Sequence, residues 1–585
     1  MGIYLNSTSP YMLYCEAFSS PYFVDKTKFL DELVPIVELK ENIRGISGES
    51  HGTGMKYICI TRPRRFGKTV MADMISSYFG KGADSSSLFG QLHAAGYRWY
   101  EEHLNQHNLI HIMFNELPRD CTTYQQYINR IQTRLIRDLM KAYPDAAIET
   151  DDAVWDALQS IFEYCGGERF IFVLDEWDYI FHRDFVTDRD KEAYIDFLSN
   201  LLKDKPYVEM AYMTGILPIA KYSSGSELNM FFEFSMASSE KYSSYFGFTD
   251  EEVDALYERY LNIEKEPRIS RSELKLWYDG YETMSGKRLY NPRSVVGALS
   301  LNQLGNYWTS SGPYDEIFTY VKNDISGIRD EIAALMSGTT IPANVQEYAS
   351  TSLELATKDE IYSAMVVYGF LSYSNGHVSI PNKELMDKFA DMVRQRPTFG
   401  YIYRLAAESG RMLSATRAGD TRTMTEILER IHNTESPLIR YSDEAELSKV
   451  ITFAYLQARE YYDIHLEDRS GTGYADYIFY PYKKEDDGII IELKLDQPVE
   501  KAIRQIKDRK YALNFDGRLG EPPKCTGRIL AVGIAYNRND PAKRHECRVE
   551  LLRESLGGYR KPDGFPEQEK PLESADRRIS DQTEY

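Results

Sequence analysis

Apolar and polar positions change period several times along the chain, and each change marks an element. Tyr57 to Thr61 is an apolar run that predicts a buried strand, RPRRFG is a polar loop, and a helix is predicted from Lys68 onward. RFIFVLDEWD (169–178) predicts a second hydrophobic strand that ends in two acids, and MTGILPIAK (213–221) contains the end of a third. From Tyr474 to Leu495 the chain alternates, turns through the polar KKEDDG and continues as a β-branched run, which predicts a β-hairpin. Symmetry about Lys484 sets Asp476 across from Glu492. Glu492 and Lys494, two apart on a strand, share one face, while Ile491, Leu493 and Leu495 turn to the core. The following helix has Asp496 or Gln497 as its expected cap, Pro498 in its first turn, and a buried stripe of Val499, Ala502, Ile503 and Ile506.

The stretch IYSAMVVYGFLSYSNGHVSIPNKELMDKF predicts a helix, a hairpin turning at Ser374-Asn375-Gly376 and another helix, an order that resembles a winged helix. Its wing is not basic, which favours a joining role over DNA binding. Residues from Gly557 on are polar and proline-bearing, so a disordered tail is expected.

A length of 585 residues exceeds one core and suggests about three domains. The formal charge of −20 excludes coating of nucleic acid by bulk electrostatics, so any basic surface must be local. Lys501, Arg504, Lys507, Arg509 and Lys510 make the helix at 500–510 the candidate patch. Six cysteines without a CxxC pair signal neither a disulfide framework nor a zinc site. His103, His107 and His111 have helix-face spacing, but LIHIMF reads as a strand holding His111, so the three do not share a face. With no leader-like N-terminus and no apolar run of spanning length, a soluble, cytoplasmic protein is expected.

Two kinds of chemistry are spelled out. Strand, loop and helix around RPRRFGKT form the context of a phosphate-binding loop. There Gly67 admits close backbone approach, Lys68 reaches phosphate oxygens, and Thr69 can hold Mg²⁺. Arg62 replaces the first glycine of that motif, and Arg64 and Arg65 add charge. Asp175 would bind Mg²⁺ and Glu176 would polarise a water attacking ATP. In the hairpin, Asp476 and Glu492 side by side suit a hard divalent cation, and Lys494 can orient a nucleophilic water.

Asp476, a spacer, and Glu492-Leu493-Lys494 resemble the PD-(D/E)xK nuclease superfamily. RPRRFGKT, LDEWD, MTGILPIAK, YFGFTDEEV, WYDGY and YNPRSVV together resemble the bacterial AAA-ATPase-like family, whose members typically carry such a nuclease domain. The resemblance implies metal ligation by Asp476, Glu492 and the Leu493 carbonyl, support from Gln505 and Glu446, and a polar sensor at Thr214. Glu467 reads as ordinary strand-edge charge, and Arg293 stands where tryptophan is usual.

The expected class is α/β: an AAA-like P-loop core over 1–225, a lid-like helical region over 226–310 and a winged-helix-like connector over 311–400. A restriction-endonuclease-like α/β/α nuclease domain over 401–556 and a tail over 557–585 complete it. The expected cofactors are ATP and Mg²⁺, the expected partner is nucleic acid, DNA ahead of RNA, and self-association is a further expectation. The resemblance suits defence against foreign DNA. A nucleotide-dependent switch with a vestigial nuclease is the alternative, and Arg62 leaves open an ATPase part that only binds.

Overall fold

The apolar runs around residues 58, 110 and 172 become strands of one sheet in the computed structural model, which describes residues 2–37, 55–118, 120–219, 227–309, 328–336, 338, 340–345, 355, 357–395, 401–434, 444–470, 473–516, 523–540 and 544–556. The chain falls into two units, Met1–Phe389 and Ala390–Tyr585, each with a five-stranded sheet.

In the first unit the strands are β1 (Tyr57–Thr61), β2 (Asn108–Met113), β3 (Phe170–Asp175), β4 (Val208–Gly215) and β5 (Phe232–Ser235), in the order β2-β3-β4-β1-β5 and all parallel. β1, β3 and β4 are buried along their whole length, because helices cover both faces. Alternation splits β1 to β4 between two cores. Ile58, Ile60, Ile171 and Val173 pack with the helix Lys68–Phe79. Cys59, Phe170 and Phe172 pack with the helices Tyr124–Ala142, Val154–Tyr164 and Asp188–Leu202. Each such aliphatic side chain contributes about 1.5–3 kcal/mol on burial.

Three further helices, Asp250–Ile263, Arg271–Tyr278 and Pro292–Leu301, form their own cluster through Val253, Leu256, Leu274 and Val295. Their starts were legible from capping residues: Thr249 with Glu252 and Ser270 with Glu273 close capping boxes, and Asn291 caps the third helix. A two-stranded hairpin of β6 (Tyr281–Glu282) and β7 (Arg288–Leu289) links the second helix to the third.

The winged-helix-like module consists of the helix Ile328–Met336, β8 (Ile341–Pro342), the helix Lys358–Tyr368, β9 (Ser372–Ser374), β10 (His377–Ser379) and the helix Lys383–Gln395, with strand order β8-β10-β9. Its hairpin turns at Asn375 and Gly376, with φ of 49° and 81°, as an Asn-Gly turn requires. The helix Lys358–Tyr368 is buried continuously from Glu360 to Val366, so it presents no open face to a groove.

The second unit holds β11 (Tyr462–Ser470), β12 (Gly473–Pro481), β13 (Gly488–Leu495), β14 (Ile529–Tyr536) and β15 (His545–Arg553) in sequential order. Only β13 and β14 are parallel, and the helix Val499–Asp508 lies in the crossover between them. A Cβ at Gly533 would stand 3.0 Å from Val499 and 3.1 Å from Ala502, so glycine lets this helix approach β14. The cap of this helix differs from expectation. Pro498 takes the cap position without a side-chain bond, whereas Asp496 adopts a φ of 55° and pairs with Arg538 at 2.5 Å. A carboxylate satisfied by a guanidinium across the sheet end has no reason to turn back onto the helix.

The expected tail at 557–585 lies outside the described residues. Among the described residues, no helix is long and apolar enough to cross a membrane.

Candidate functional site

Two constellations emerge, one in each unit. In the first unit β1 delivers the chain to the carboxyl end of the sheet, where Arg62 N donates to the Gly215 carbonyl at 3.2 Å and starts the loop. Arg65 and Gly67 adopt positive φ of 68° and 86°, and the helix begins at Lys68. Glycine serves at 67 because such a conformation is costly for other residues. Exposed backbone N–H groups at a helix start suit an anion.

The Lys68 ammonium donates to the carbonyls of Arg62 at 2.8 Å and Pro63 at 3.0 Å. Burial pulls its pKa down to about 8, opposed by the charges of Asp178, Asp175 and Glu176. Thr69 follows in the first turn. Arg65 is exposed on the loop. Arg62, in place of a glycine, is 1% exposed and donates to the carbonyls of Thr61 at 2.9 Å and Phe234 at 2.6 Å, with Phe246 under its guanidinium at 5.4 Å. Its side chain therefore ties the loop to β5.

Asp175 ends β3 completely buried, with Oδ1 accepting from the Thr214 hydroxyl on β4. Its Oδ2 is buried and has no hydrogen-bond partner among the described residues. Glu176 stands next in sequence with a φ of 53°. Burial raises its pKa, Asp175 adds to the effect, and Lys68 and a hydrogen bond from Asn115 oppose it. Asp178 accepts from the N–H groups of Ile216 at 2.9 Å and Leu217 at 2.8 Å, fixing the end of β4.

Sequence reasoning missed Asn115 and Asp73. Asp73 lies one helical turn past Thr69, 4% exposed, its carboxyl pushed up to about 8 by burial and by Asp175. The i,i+4 spacing was a signal for it. His111 sits on β2 against Ser76 Oγ at 3.1 Å, while His103 and His107 contact each other at 3.0 Å. The strand thus separates the three histidines, and no group of three metal-ligating side chains occurs among the described residues.

In the second unit β12 and β13 pair as Tyr477↔Ile491, Ile478↔Ile490 and Phe479↔Ile489, the register that symmetry about Lys484 requires. Asp476 and Glu492 consequently meet at the end of the pairing. Asp476 Oδ2 accepts from Leu493 N at 2.6 Å. Glu492 is 2% exposed, its Oε1 accepts from Lys494 Nζ at 2.9 Å, and its Oε2 has no partner among the described residues. Burial first and the Asp476 charge second push the Glu492 carboxyl up to about 7, against the pull of Lys494. Lys494 Nζ also donates to the Leu493 carbonyl at 2.9 Å.

Gln505, half-buried on the helix Val499–Asp508, bonds to the buried Tyr511, which lies within reach of the charges of Glu492 and Asp476. Tyr511 is a neighbour that strand periodicity could not indicate. Glu446 lies on the helix Glu444–Ala454 and Glu467 on β11, and the side chains of both fall outside the described residues. The basic face of the 500–510 helix is partly neutralised. Lys507 pairs with Glu550 at 2.5 Å and Glu500 with Arg548 at 3.0 Å, while Lys501, Arg504, Arg509 and Lys510 are exposed.

Residues 50–224 match the family described as predicted AAA-ATPase, and residues 442–539 match the PD-(D/E)XK nuclease superfamily. The chain carries an AAA-ATPase-like domain and a PD-(D/E)XK domain. Strands β1 to β4 and the loop at 62–67 fall in the first, and Asp476, Glu492 and Lys494 fall in the second. An uncharacterized protein in the vnfD 5′ region of Azotobacter chroococcum mcd 1 is 25% identical over 553 residues, covering 92% of this chain and 96% of that protein. Among solved structures, the Walker-type ATPase PABY2304 of Pyrococcus abyssi is 11% identical, covering 61% of this chain and 94% of its own, with a TM-score of 0.33. The ORC2 protein of Aeropyrum pernix in ADPNP–ADP complexes is 10% identical, covering 63% and 94%, also with a TM-score of 0.33.

Proposed function

We propose that the AAA-ATPase-like domain binds and hydrolyses ATP and that the PD-(D/E)XK domain cleaves nucleic-acid phosphodiester bonds, DNA ahead of RNA. The observation that carries the nuclease reading is the convergence of Asp476, Glu492 and Lys494 on one sheet end, with a buried Glu492 oxygen left unpartnered. An orphaned buried carboxylate oxygen is costly unless a cation answers it. The same holds for Asp175 Oδ2.

Asp476, Glu492 and the Leu493 carbonyl would hold one Mg²⁺ and Thr69 and Asp175 another, each supplying positive charge against phosphate oxygens. Lys494 holds a water for attack on phosphorus and counters the charge that develops there. Gln505 and Tyr511 fix the wall beside it, and Glu446 would have a supporting place, as the superfamily resemblance implies. At the other site Gly67 and the helix start receive phosphate, Lys68 neutralises it, and Arg65 lies at the rim. Thr214 orients Asp175, and Glu176 polarises the attacking water.

The test is incubation of the purified chain with single- and double-stranded DNA and with RNA, with and without Mg²⁺ and ATP. Mg²⁺-dependent cleavage lost in Asp476→Ala is the expected result. ATP turnover without cleavage of any substrate would instead favour a nucleotide-dependent switch.

A further inference from the structure

Three segments downstream of the phosphate loop close on it. Gly247 N donates to the Phe66 carbonyl at 3.2 Å, and Asn291 Nδ2 approaches the Arg64 carbonyl at 3.4 Å. The third segment is WYDGY. Its Tyr281 is 1% exposed, meets the Phe66 ring edge-on at 4.9 Å, and donates its hydroxyl proton to the Gly369 carbonyl at 3.0 Å. Gly369, with a φ of 86°, ends the buried helix of the winged-helix-like module and lies so close to the loop that a Cβ there would stand 2.7 Å from Pro63. Pro63, Gly369, Tyr281 and Phe66 therefore form a closed ring of contacts that returns to the loop at both ends.

The ring bears on phosphate binding through Lys68. Its ammonium rests on the carbonyls of Arg62 and Pro63, so a phosphate must draw it off two groups next to the Gly369 contact. The seam behind Tyr281 is tight: a Cβ on Gly280 would fall 2.0 Å from the Pro381 carbonyl oxygen, and Glu282 N donates to Ser372 Oγ at 2.9 Å. With one glycine in RPRRFG, the loop takes its shape from packing outside itself as well as from its own backbone.

We infer that Tyr281 is a positioning residue for the phosphate loop: without being placed on nucleotide, it sets nucleotide affinity by holding Phe66 and Pro63 through one side chain. The inference rests on the reading of 62–69 as a nucleotide site. A residue that biases one arrangement of a binding loop changes affinity by the population it shifts.

The test is titration of the full chain with MgATP, alongside its thermal midpoint and the amide exchange of Phe66 and Gly67. Tyr281→Phe keeps the ring contact and loses the bond to Gly369, so it should weaken affinity about 3- to 10-fold, the range of one hydrogen bond. Tyr281→Leu should weaken it further, and Phe66→Leu added to Tyr281→Leu should cost little more, because the two act through one contact. Amide exchange at Phe66 and Gly67 should quicken in step with lost affinity. A purely structural Tyr281 would lower the thermal midpoint and leave affinity unchanged, which overturns the inference; Tyr281→Phe decides the matter if Tyr281→Leu does not fold. Lys68→Ala separates the two readings. If wild type binds MgATP and Lys68→Ala does not, the nucleotide site stands whatever Tyr281 does, and if wild type fails to bind, both fall.

Discussion

The Lys68 ammonium lies 2.8 Å from the carbonyl oxygen of Arg62, so in the proposed nucleotide site the loop and an incoming phosphate compete for the same charge. Lys68→Ala removes the proposed phosphate partner and also leaves the Arg62 and Pro63 carbonyls without this donor. ATP affinity should fall at least about tenfold, or ~1.4 kcal/mol, in an equilibrium titration. Stability of the empty protein should fall by about 1–2 kcal/mol, measured by urea unfolding.

Glu176→Gln keeps the shape of the side chain and the bond with Asn115 while removing the carboxylate proposed to polarise water. ATP binding should stay within about threefold of wild type, and turnover should drop about 10²-fold or more. Hydrolysis at the wild-type rate in a phosphate-release assay would remove Glu176 from that role.

The pH dependence of the second site follows from Glu492, whose pKa rises from 4.5 to about 7. A raised carboxyl pKa contributes stability below the unfolded value and loses it as pH climbs through the folded one. The metal-free protein should therefore weaken as pH rises through about 7, and Glu492→Gln should remove that part of the profile. Mg²⁺ needs the ionised form, so its affinity should increase about tenfold between pH 6 and pH 8, read by calorimetry. A flat profile would detach Glu492 from the metal. Cleavage should vanish in Glu492→Ala and in Asp476→Ala.

Glu384 offers a test of stability alone. Its buried carboxylate accepts from Ser294 Oγ at 2.6 Å, Trp308 N at 2.6 Å and Thr309 N at 3.2 Å, joining three segments of the first unit. Glu384→Ala leaves those donors in a dry place and should cost about 2–4 kcal/mol, seen as a lower thermal midpoint.

Local pattern carried much of this chain. A β-branched run and an alternating one around KKEDDG imply a hairpin, and the hairpin's symmetry brings Asp476 to Glu492, because strand geometry has a period of two. Asp175 was legible because it ends an apolar run, and Lys68 because it opens the helix after a strand and a polar loop. Asn115 and Tyr511 were not, since each acts on a residue from another element and nothing in its own neighbourhood marks it; Tyr281 falls in WYDGY, but that motif alone does not say which residues it meets. Arg62 read as a defect in the loop motif, yet its Nη1 donates to the carbonyl of Phe234 on β5, 172 residues later. Only the parallel order of the sheet brings the two together.

Glu176 holds a left-handed backbone at a φ of 53°, a conformation that costs a side-chain-bearing residue about 1 kcal/mol. Glycine would relax it. Selection for heat resistance alone would therefore drift toward Glu176→Gly, a sturdier protein without its proposed water-polarising group. A thermostabilised version of this chain should be sequenced at 176 before its turnover is believed.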